Sequence, residues 1–341
     1  MSSIPVAEAL AAFGIPRARV GCEASLASRV YRVVADGRRR FLKEHAAADA
    51  VRIDFAAAVG ERLRAAGIGA PSYVPARDGS LYAAVGSYLY TLTEPVGDVA
   101  LSAVDLRDER SARRLGRLLG TIHAALKERP RLEPPPRPAL WVDEDQAGRV
   151  ASARGALLGE PPFPERPIML EALAAVDDVL PFVSALSSFP PLGVVHGDFW
   201  PGNVVVGGSS LARLGVIDLE TACSAPLLLD VAQFADLAFR ELTGWQKTTE
   251  MDVSLACTFA LAWARAASVS VSELAALPAV LLAARVCSIL WIVERRLAGG
   301  PSPLDQLVGN DLRTIRFVRA EEERLSVAFA QTSALSLSGR R

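Results

Sequence analysis

Lysine is scarce in this chain. Of its 37 basic residues only Lys43, Lys127 and Lys247 are lysines, and arginine supplies the other 34. Where arginine is the default cation, a retained lysine points to a place for a compact ammonium, a form suited to a phosphate oxygen. An excess of either charge is also missing, since the formal net charge is -1 over 341 residues and no basic run exceeds Arg38-Arg39-Arg40. The electrostatic footprint of a nucleic-acid binder or of a protein held on an anionic membrane is therefore absent, and a small-molecule partner is favoured.

Cysteine is sparse as well. Cys22, Cys223, Cys257 and Cys287 show no CxxC spacing, which argues against a zinc site or a disulfide framework and predicts buried thiols in a reducing cytosol. The opening MSSIPVAEALAAF lacks the basic stretch and long apolar core of an export signal, so a cytoplasmic location is expected. Long uncharged runs are lacking too: the stretches around Leu255 to Ala264 and Ala275 to Val293 are broken by Arg265, Pro278 and Arg285. Neither supplies the roughly 18 apolar residues of a membrane span, and both are expected to be core helices. No internal repeat is apparent.

What is present is ample core material. Hydrophobic residues make up 51% of the chain, and the length suits two domains or one two-lobed unit. The informative stretch is Val194 to Glu220, VVHGDFWPGNVVVGGSSLARLGVIDLE. It reads as loop, strand, turn, strand and acid, with strands near Val204 to Val206 and Ala212 to Ile217 joined by Gly207-Gly208-Ser209-Ser210. Such a hairpin returns Asp218 beside Asn203, and Asp198 precedes Asn203 by five residues. Two carboxylates and a carboxamide in this order suit phosphoryl transfer, which asks for hard oxygen ligands to Mg²⁺ and a carboxylate to take the proton of the attacking hydroxyl.

Earlier in the chain, RVYRVVA and RRRFLK flank Asp36-Gly37, a two-residue turn signal that pairs Ala35 with Arg38 and, counting back, Val30 with Lys43 on one face of a sheet. Val51, Phe55, Val59 and Leu63 predict an amphipathic helix from Ala46 to Ala66, closed by Gly67. Strands are expected near Ser72 to Ala76 and Leu81 to Thr93. A long helix from Asp105 to Arg129, capped by Asp105, follows, then one near Trp141 to Leu158. Ala225 to Arg240 and three stretches near Ser254 to Ala267, Val271 to Ala298 and Asp305 to Val327 complete the helices.

The string HGDFWPGN, with Asp218 beyond the hairpin, resembles the aminoglycoside phosphotransferase and choline kinase-like family of small-molecule kinases. The order Asp198, Asn203, Asp218 is similar to that of protein kinases, with Gly197 where those carry arginine. The resemblance covers most of residues 20 to 240. It implies an α+β, two-lobed protein-kinase-like fold: a nucleotide-binding N-lobe over residues 1–96 with a five-stranded antiparallel sheet and one helix, a mainly helical C-lobe over 97–330, and a mobile tail over 331–341.

It also implies roles. Asp198 is the expected catalytic base, and Asn203 and Asp218 are the expected Mg²⁺ ligands. Lys43 would hold phosphates of ATP or GTP, Val30 would pack on the base, and Glu61, with Asp54 as an alternative, would orient Lys43. The segment GCEASLASRVYRV has no glycine at the positions of a kinase phosphate loop, so Ser25 and Ser28 are expected to meet the phosphates. The hinge TLTEPVGD would offer donors from Glu94 or Val96, because Pro95 has no N–H. His196, His123 in LGRLLGTIHAAL, and Asp230 in APLLLDVAQFADLAFR would support the catalytic loop. Glu220 is left between a reach to metal-bound water and a solvent-facing position. The expected activity is transfer of a γ-phosphoryl group to a hydroxyl of a small molecule, an antibiotic or a metabolite alcohol. A nucleotide-binding regulatory module without catalysis is the alternative. A protein kinase is disfavoured by the missing arginine and by the lack of an APE segment.

Overall fold

Asp36 and Gly37 turn the chain through two positive φ angles, 52° and 72°, the backbone that a tight hairpin between right-twisted strands requires. In the computed structural model of the protein this turn joins the second and third strands and sets their register as the sequence predicts, Ala35 against Arg38 and Val30 against Lys43. The structure describes residues 4–23, 29–97, 99–101, 106, 108–127, 145–184, 192–207, 214–240, 242–243, 246–247, 250–300 and 302–338.

In chain order the elements are α1 (Ile4–Ala12), β1 (Arg19–Glu23), β2 (Val30–Ala35), β3 (Arg38–Ala46), α2 (Ala50–Ala65), β4 (Ser72–Tyr73), β5 (Ala83–Val85), β6 (Tyr88–Glu94) and β7 (Val99–Ala100). Then come α3 (Glu109–Leu126), α4 (Gln146–Gly159), α5 (Arg166–Ser184), β8 (Leu192–Val195), β9 (Val204–Val206), β10 (Leu214–Val216) and β11 (Cys223–Pro226). The helices α6 (Leu228–Ala238), α7 (Val253–Ala267), α8 (Leu277–Gly299), α9 (Val308–Ala320) and α10 (Glu322–Ser338) follow. The chain forms two compact units. One draws its described residues from Met1–Leu101 and Gly202–Ala222, the other from Ser102–Lys127, Pro136–Pro201 and Cys223–Arg341.

The first unit is built on an antiparallel sheet of order β1-β2-β3-β6-β4, with β5 also paired to β6. Five strands were expected and six are found, because the stretch Leu81 to Thr93 is two strands joined at Gly86, whose φ is +60°. Side chains alternate across a strand, so the sheet has two distinct faces. Val33, Leu42, Tyr90 and Leu92 turn to one side and pack with Val6 and Leu10 of α1, a helix that the sequence reading did not foresee, and with Phe13 just beyond it. The alternate positions Val30, Lys43, Thr91, Thr93 and Tyr73, matched across strands by register, belong to the other.

A second small sheet, β10-β9-β7, belongs to the same unit. It is tied to the rest through a parallel bridge between Gly69 and Gly215, where the Val216 N–H donates to the Gly69 carbonyl at 2.9 Å. Glycine is required at this contact: a Cβ on Gly215 would lie 2.6 Å from Val96 Cγ1 and 2.9 Å from the Gly69 oxygen. The hairpin carrying Asn203 and Asp218 therefore groups with the sheet, although it follows 101 by a hundred residues, and a boundary at 96 leaves it out. The turn Gly208 to Ser210 lies outside the described residues.

Helix α2 forms where the pattern predicts, and Gly67 (φ +78°) ends it. Phe55, Val59 and Leu63 are buried, but Val51 is 62% exposed. At 3.6 residues per turn a step of four drifts by about 40°, so three such steps rotate the first residue off the buried side. Ile53 and Ala56 take its place in the core.

The second unit is mainly helical. Helix α3 is capped by Asp108, whose carboxylate accepts from the Ser111 N–H, and the expected cap Asp105 lies outside the described residues. It packs closely along α7, with Gly116 and Gly120 at the contact. Helix α8 is central, touched by α4, α5, α6, α9 and α10. By length and composition the stretch Val271–Gly299 could cross a membrane, but 83% of its most apolar window is buried in protein, as for a core helix. Its Pro278 sits in the first turn, where no N–H is needed. The expected helix from Asp305 to Val327 breaks at Glu321 into α9 and α10, and α10 continues to Ser338 through positions read as a mobile tail. Helix α5, with Pro181 inside it, was not anticipated. Of the cysteines, Cys223 and Cys287 are buried, whereas Cys22 is exposed and Cys257 is half-buried.

Candidate active site

In the first unit, β3 carries Lys43 on the face of the sheet opposite α1, and β10 runs out into Asp218 and the 3₁₀ turn Leu219–Thr221. The Lys43 ammonium donates to Asp218 Oδ1 at 2.9 Å and to Glu220 Oε2 at 3.2 Å. Burial disfavours the charged ammonium, but attraction to Glu220 and then Asp218, with a hydrogen bond to each, outweighs it and raises the Lys43 pKa well above the ordinary lysine value. The two acids are not equivalent, because the Asp218 side chain is 46% exposed and that of Glu220 only 18%.

Asp218 holds its position with a left-handed backbone, φ 62° and ψ 53°. An aspartate visits this region at some cost, and such outliers persist where the surroundings fix them, often at functional sites. Asn203, buried at the start of β9, is brought alongside by the hairpin, since the Ile217 N–H donates to the Asn203 carbonyl at 3.0 Å. Among the described residues no three His, Cys, Asp or Glu side chains form a metal cage. An open donor set fits Mg²⁺ nonetheless, because that ion keeps waters and is bound by one or two carboxylates together with substrate phosphates. Asp218, half open to solvent, offers an oxygen of that kind, and the hairpin sets the backbone of buried Asn203 next to Ile217, the residue before Asp218.

Two further side chains feel the charges of this cluster. Tyr73 on β4 has its pKa pushed well up by burial and then by the charges of Glu220 and Asp218, so it remains a neutral phenol. His45, two residues along β3, shares a 2.9 Å hydrogen bond with Thr91 of β6. Its pKa is lowered, chiefly by burial.

Glu61 does not partner Lys43. It and Asp54 both lie exposed on α2, where water solvates them, and the carboxylate that the sequence reading sought on the helix comes instead from Glu220. Val30 is half-buried at the start of β2, opposite Lys43. Glu94 ends β6 and accepts from Arg40 Nε at 2.9 Å, and Val96 borders the Gly69–Gly215 contact. Ser25 and Ser28 lie outside the described residues.

The second unit holds the His-Gly-Asp turn. Asp230, fully buried in the first turn of α6, accepts the His196 N–H at 2.7 Å on Oδ2 and the Gly197 N–H at 2.9 Å on Oδ1. Gly197 has φ +81°, a conformation glycine adopts without strain, and this aims its N–H at the carboxylate. His123 on α3 reaches the same carboxylate, with Nε2 2.9 Å from Oδ2, while the Trp263 indole of α7 donates to His123 Nδ1 at 2.8 Å. An indole only donates, so Nδ1 is the acceptor and Nε2 carries the proton given to Asp230.

Asp198 follows, half-buried, its N–H directed to His196 Nδ1 at 3.4 Å. Phe199 anchors the turn in the core against Phe234, which stacks on Phe259 at 4.7 Å. Farther along, buried Arg285 donates to Asp311 at 2.9 Å and pairs with Asp236 at 3.7 Å. Burial weakens its charge, but Asp311, Asp236 and Asp198 together raise its pKa. Trp263, Glu220, Tyr73 and Arg285 were not singled out for these contacts. Only Glu220 had a usable signal, its place two residues past Asp218.

A family model described as a phosphotransferase enzyme family matches residues 21–270. The chain belongs to that family. A search of curated proteins returned no match. Among solved structures, a microcompartment-associated aminopropanol kinase is 18% identical with a TM-score of 0.63, covering 95% of this chain and 98% of the other. An amicoumacin kinase in complex with AMP-PNP and Ca²⁺ is 15% identical with a TM-score of 0.60, covering 89% and 88%. A spectinomycin phosphotransferase in complex with ADP and spectinomycin is 14% identical with a TM-score of 0.58, covering 94% and 96%. At these identities the likeness is one of fold: the kinase-like α+β fold, with its antiparallel sheet and helical remainder.

Proposed function

We propose that this phosphotransferase moves the γ-phosphoryl group of ATP, or of GTP, to a hydroxyl of a small molecule, an antibiotic or a metabolite alcohol. The observation that carries the reading is the 2.9 Å contact between Lys43 and Asp218, residues 175 apart in sequence. It joins a phosphate-seeking ammonium to a carboxylate that is nearly half exposed to solvent. Lys43 would steady the phosphates, and Asp218 and Asn203 would hold Mg²⁺, which when bound neutralises charge on the β- and γ-phosphates. The acceptor oxygen forms its bond to the γ-phosphorus as the bond to the β,γ-bridging oxygen breaks. The hydroxyl proton passes to the Asp198 carboxylate, and the nucleoside diphosphate leaves with the bridging electron pair. Asp230 and His123 keep the turn that presents Asp198 in one shape.

Solved relatives held in complex with AMP-PNP and with ADP support a nucleotide donor. The non-catalytic alternative has no observation in its favour, since Lys43, Asp198, Asn203 and Asp218 are all retained. The test is a nucleotide-turnover screen against a library of alcohols and antibiotics, with mass spectrometry of each hit. A product heavier by one phosphoryl group is the expected result, and an absence of Mg²⁺-dependent nucleotide consumption across the library counts against the reading.

A further inference from the structure

Lys43 needs a permanent partner if it is to meet a nucleotide in a fixed pose, and the arrangement around it shows which acid is free to serve. On α2 the acids Asp54 and Glu61 are exposed. The residue before Glu61 is Gly60, buried against the 3₁₀ turn, where a Cβ would lie 2.9 Å from the Pro71 carbonyl oxygen and 3.5 Å from Leu219 Cδ1. The helix thus offers the turn a bare backbone surface instead of a carboxylate. Leu219, 1% exposed, packs into that surface. It is flanked by Asp218 and Glu220, so its burial pins the turn from which both acids reach Lys43.

The two acids then differ in what they can do besides pairing. Asp218 has nearly half of its side chain open to solvent, whereas the side chains of Glu220 and Lys43 are each only 18% exposed. A hard cation carrying waters and phosphate oxygens needs the open carboxylate. An ion pair gains most from the shielded one, where water screens it least.

We propose that Glu220 is the positioning residue of Lys43, holding the ammonium in place from the turn beyond Asp218 in the role first sought on α2. The proposal rests on the phosphoryl-transfer reading above. In this account Asp218 would be the acid left to hold Mg²⁺, and Glu220 keeps the Lys43 ammonium in place.

The experiment compares wild type, Glu220→Gln, Glu220→Asp, Lys43→Ala and the Lys43→Ala/Glu220→Gln double variant. Binding of ADP and of AMP-PNP with Mg²⁺ is measured by calorimetry, and KM for nucleotide, kcat and the Mg²⁺ dependence are measured on an acceptor found by screening. Loosening a positioned group by about an ångström costs on the order of 10²-fold, so Glu220→Gln is expected to lower kcat/KM for nucleotide by roughly that factor. Glu220→Asp should recover part of the loss. In the Lys43→Ala background, Glu220→Gln should add little, because its partner is already gone. The Mg²⁺ concentration for half-maximal rate, taken at saturating nucleotide, should stay the same. Additive losses, or a Glu220→Gln variant that shifts only the Mg²⁺ dependence, would overturn the assignment and make Glu220 a metal ligand. A wild-type chain that binds no nucleotide overturns the phosphoryl-transfer reading itself. A wild type that turns nucleotide over while Glu220→Gln matches it overturns this proposal alone.

Discussion

Asp230 accepts three hydrogen bonds on one buried carboxylate: the N–H groups of His196 and Gly197, and His123 Nε2. The side chain of α6 thereby fixes the backbone of the turn that carries Asp198, and α3 and α7 fix the side chain in turn through His123 and Trp263. An Asp230→Asn variant keeps the volume but sets an amide –NH₂ against groups that donate. Hydrogen bonds to a charged group contribute about 1.5–3 kcal/mol, so a loss of stability of that order is expected by urea denaturation, with turnover lost as well. Trp263→Phe, which leaves His123 Nδ1 buried and unpartnered, should cost about 1–3 kcal/mol. If both variants unfold at the wild-type urea concentration, the bracing account is wrong.

The α3–α7 contact depends on the absence of side chains. A Cβ on Gly120 would stand 2.6 Å from the Trp263 carbonyl oxygen and 2.5 Å from Ala266 Cβ. Gly120→Ala, which should favour an isolated helix, is therefore expected to destabilise this protein by about 1–3 kcal/mol, the usual cost of overpacking. Gly155, on the exposed side of α4 with nothing near its Cβ position, supplies the control. There the same change should stabilise slightly, by up to about 1 kcal/mol. Equal melting temperatures for the two variants would contradict the packing argument.

How much of this was legible beforehand depended on distance along the chain. The register of Val30 with Lys43 followed from Asp36-Gly37, because a two-residue turn leaves no freedom in pairing. The hairpin bringing Asp218 back to Asn203 was similarly local. Asp230 and His123 could be named only through family resemblance, since no local pattern joins positions 107 residues apart. Glu61 was misread because the face a charged helical residue occupies is decided by what packs on the helix, as Val51 also shows. The Lys43–Glu220 and Trp263–His123 contacts span 177 and 140 residues, and no periodicity announces either.

His45 gives the fold a response to acid. Burial lowers its pKa in the folded state, so the unfolded chain takes up a proton near the ordinary value of about 6.5 while the folded one still resists. Where the unfolded state binds more protons, stability rises with pH. Stability should therefore fall as pH drops below about 6.5, by at most about 1.4 kcal/mol per pH unit from this group, and the fall should end once folded His45 is protonated. His45→Gln, which keeps a polar atom for Thr91, should show a shallower decline in melting temperature from pH 7 to pH 5. An unchanged slope would assign the acid response elsewhere.

Lys43 behaves oppositely. Its raised pKa means that its contribution to stability is complete below the unfolded lysine value of about 10.4 and is lost only as pH climbs through the higher folded value. Nucleotide affinity followed by calorimetry should therefore stay level up to about pH 10, because Lys43 is still charged there, and a decline below that pH would contradict the ion-pair account.

The most direct test of phosphoryl transfer is the rate of product formation by wild type and by Asp198→Ala, on an acceptor found by the turnover screen and at saturating nucleotide. Loss of a general base should lower that rate by about 10²- to 10⁴-fold while circular dichroism and nucleotide binding stay as in wild type. A variant that forms product at the wild-type rate would contradict the account.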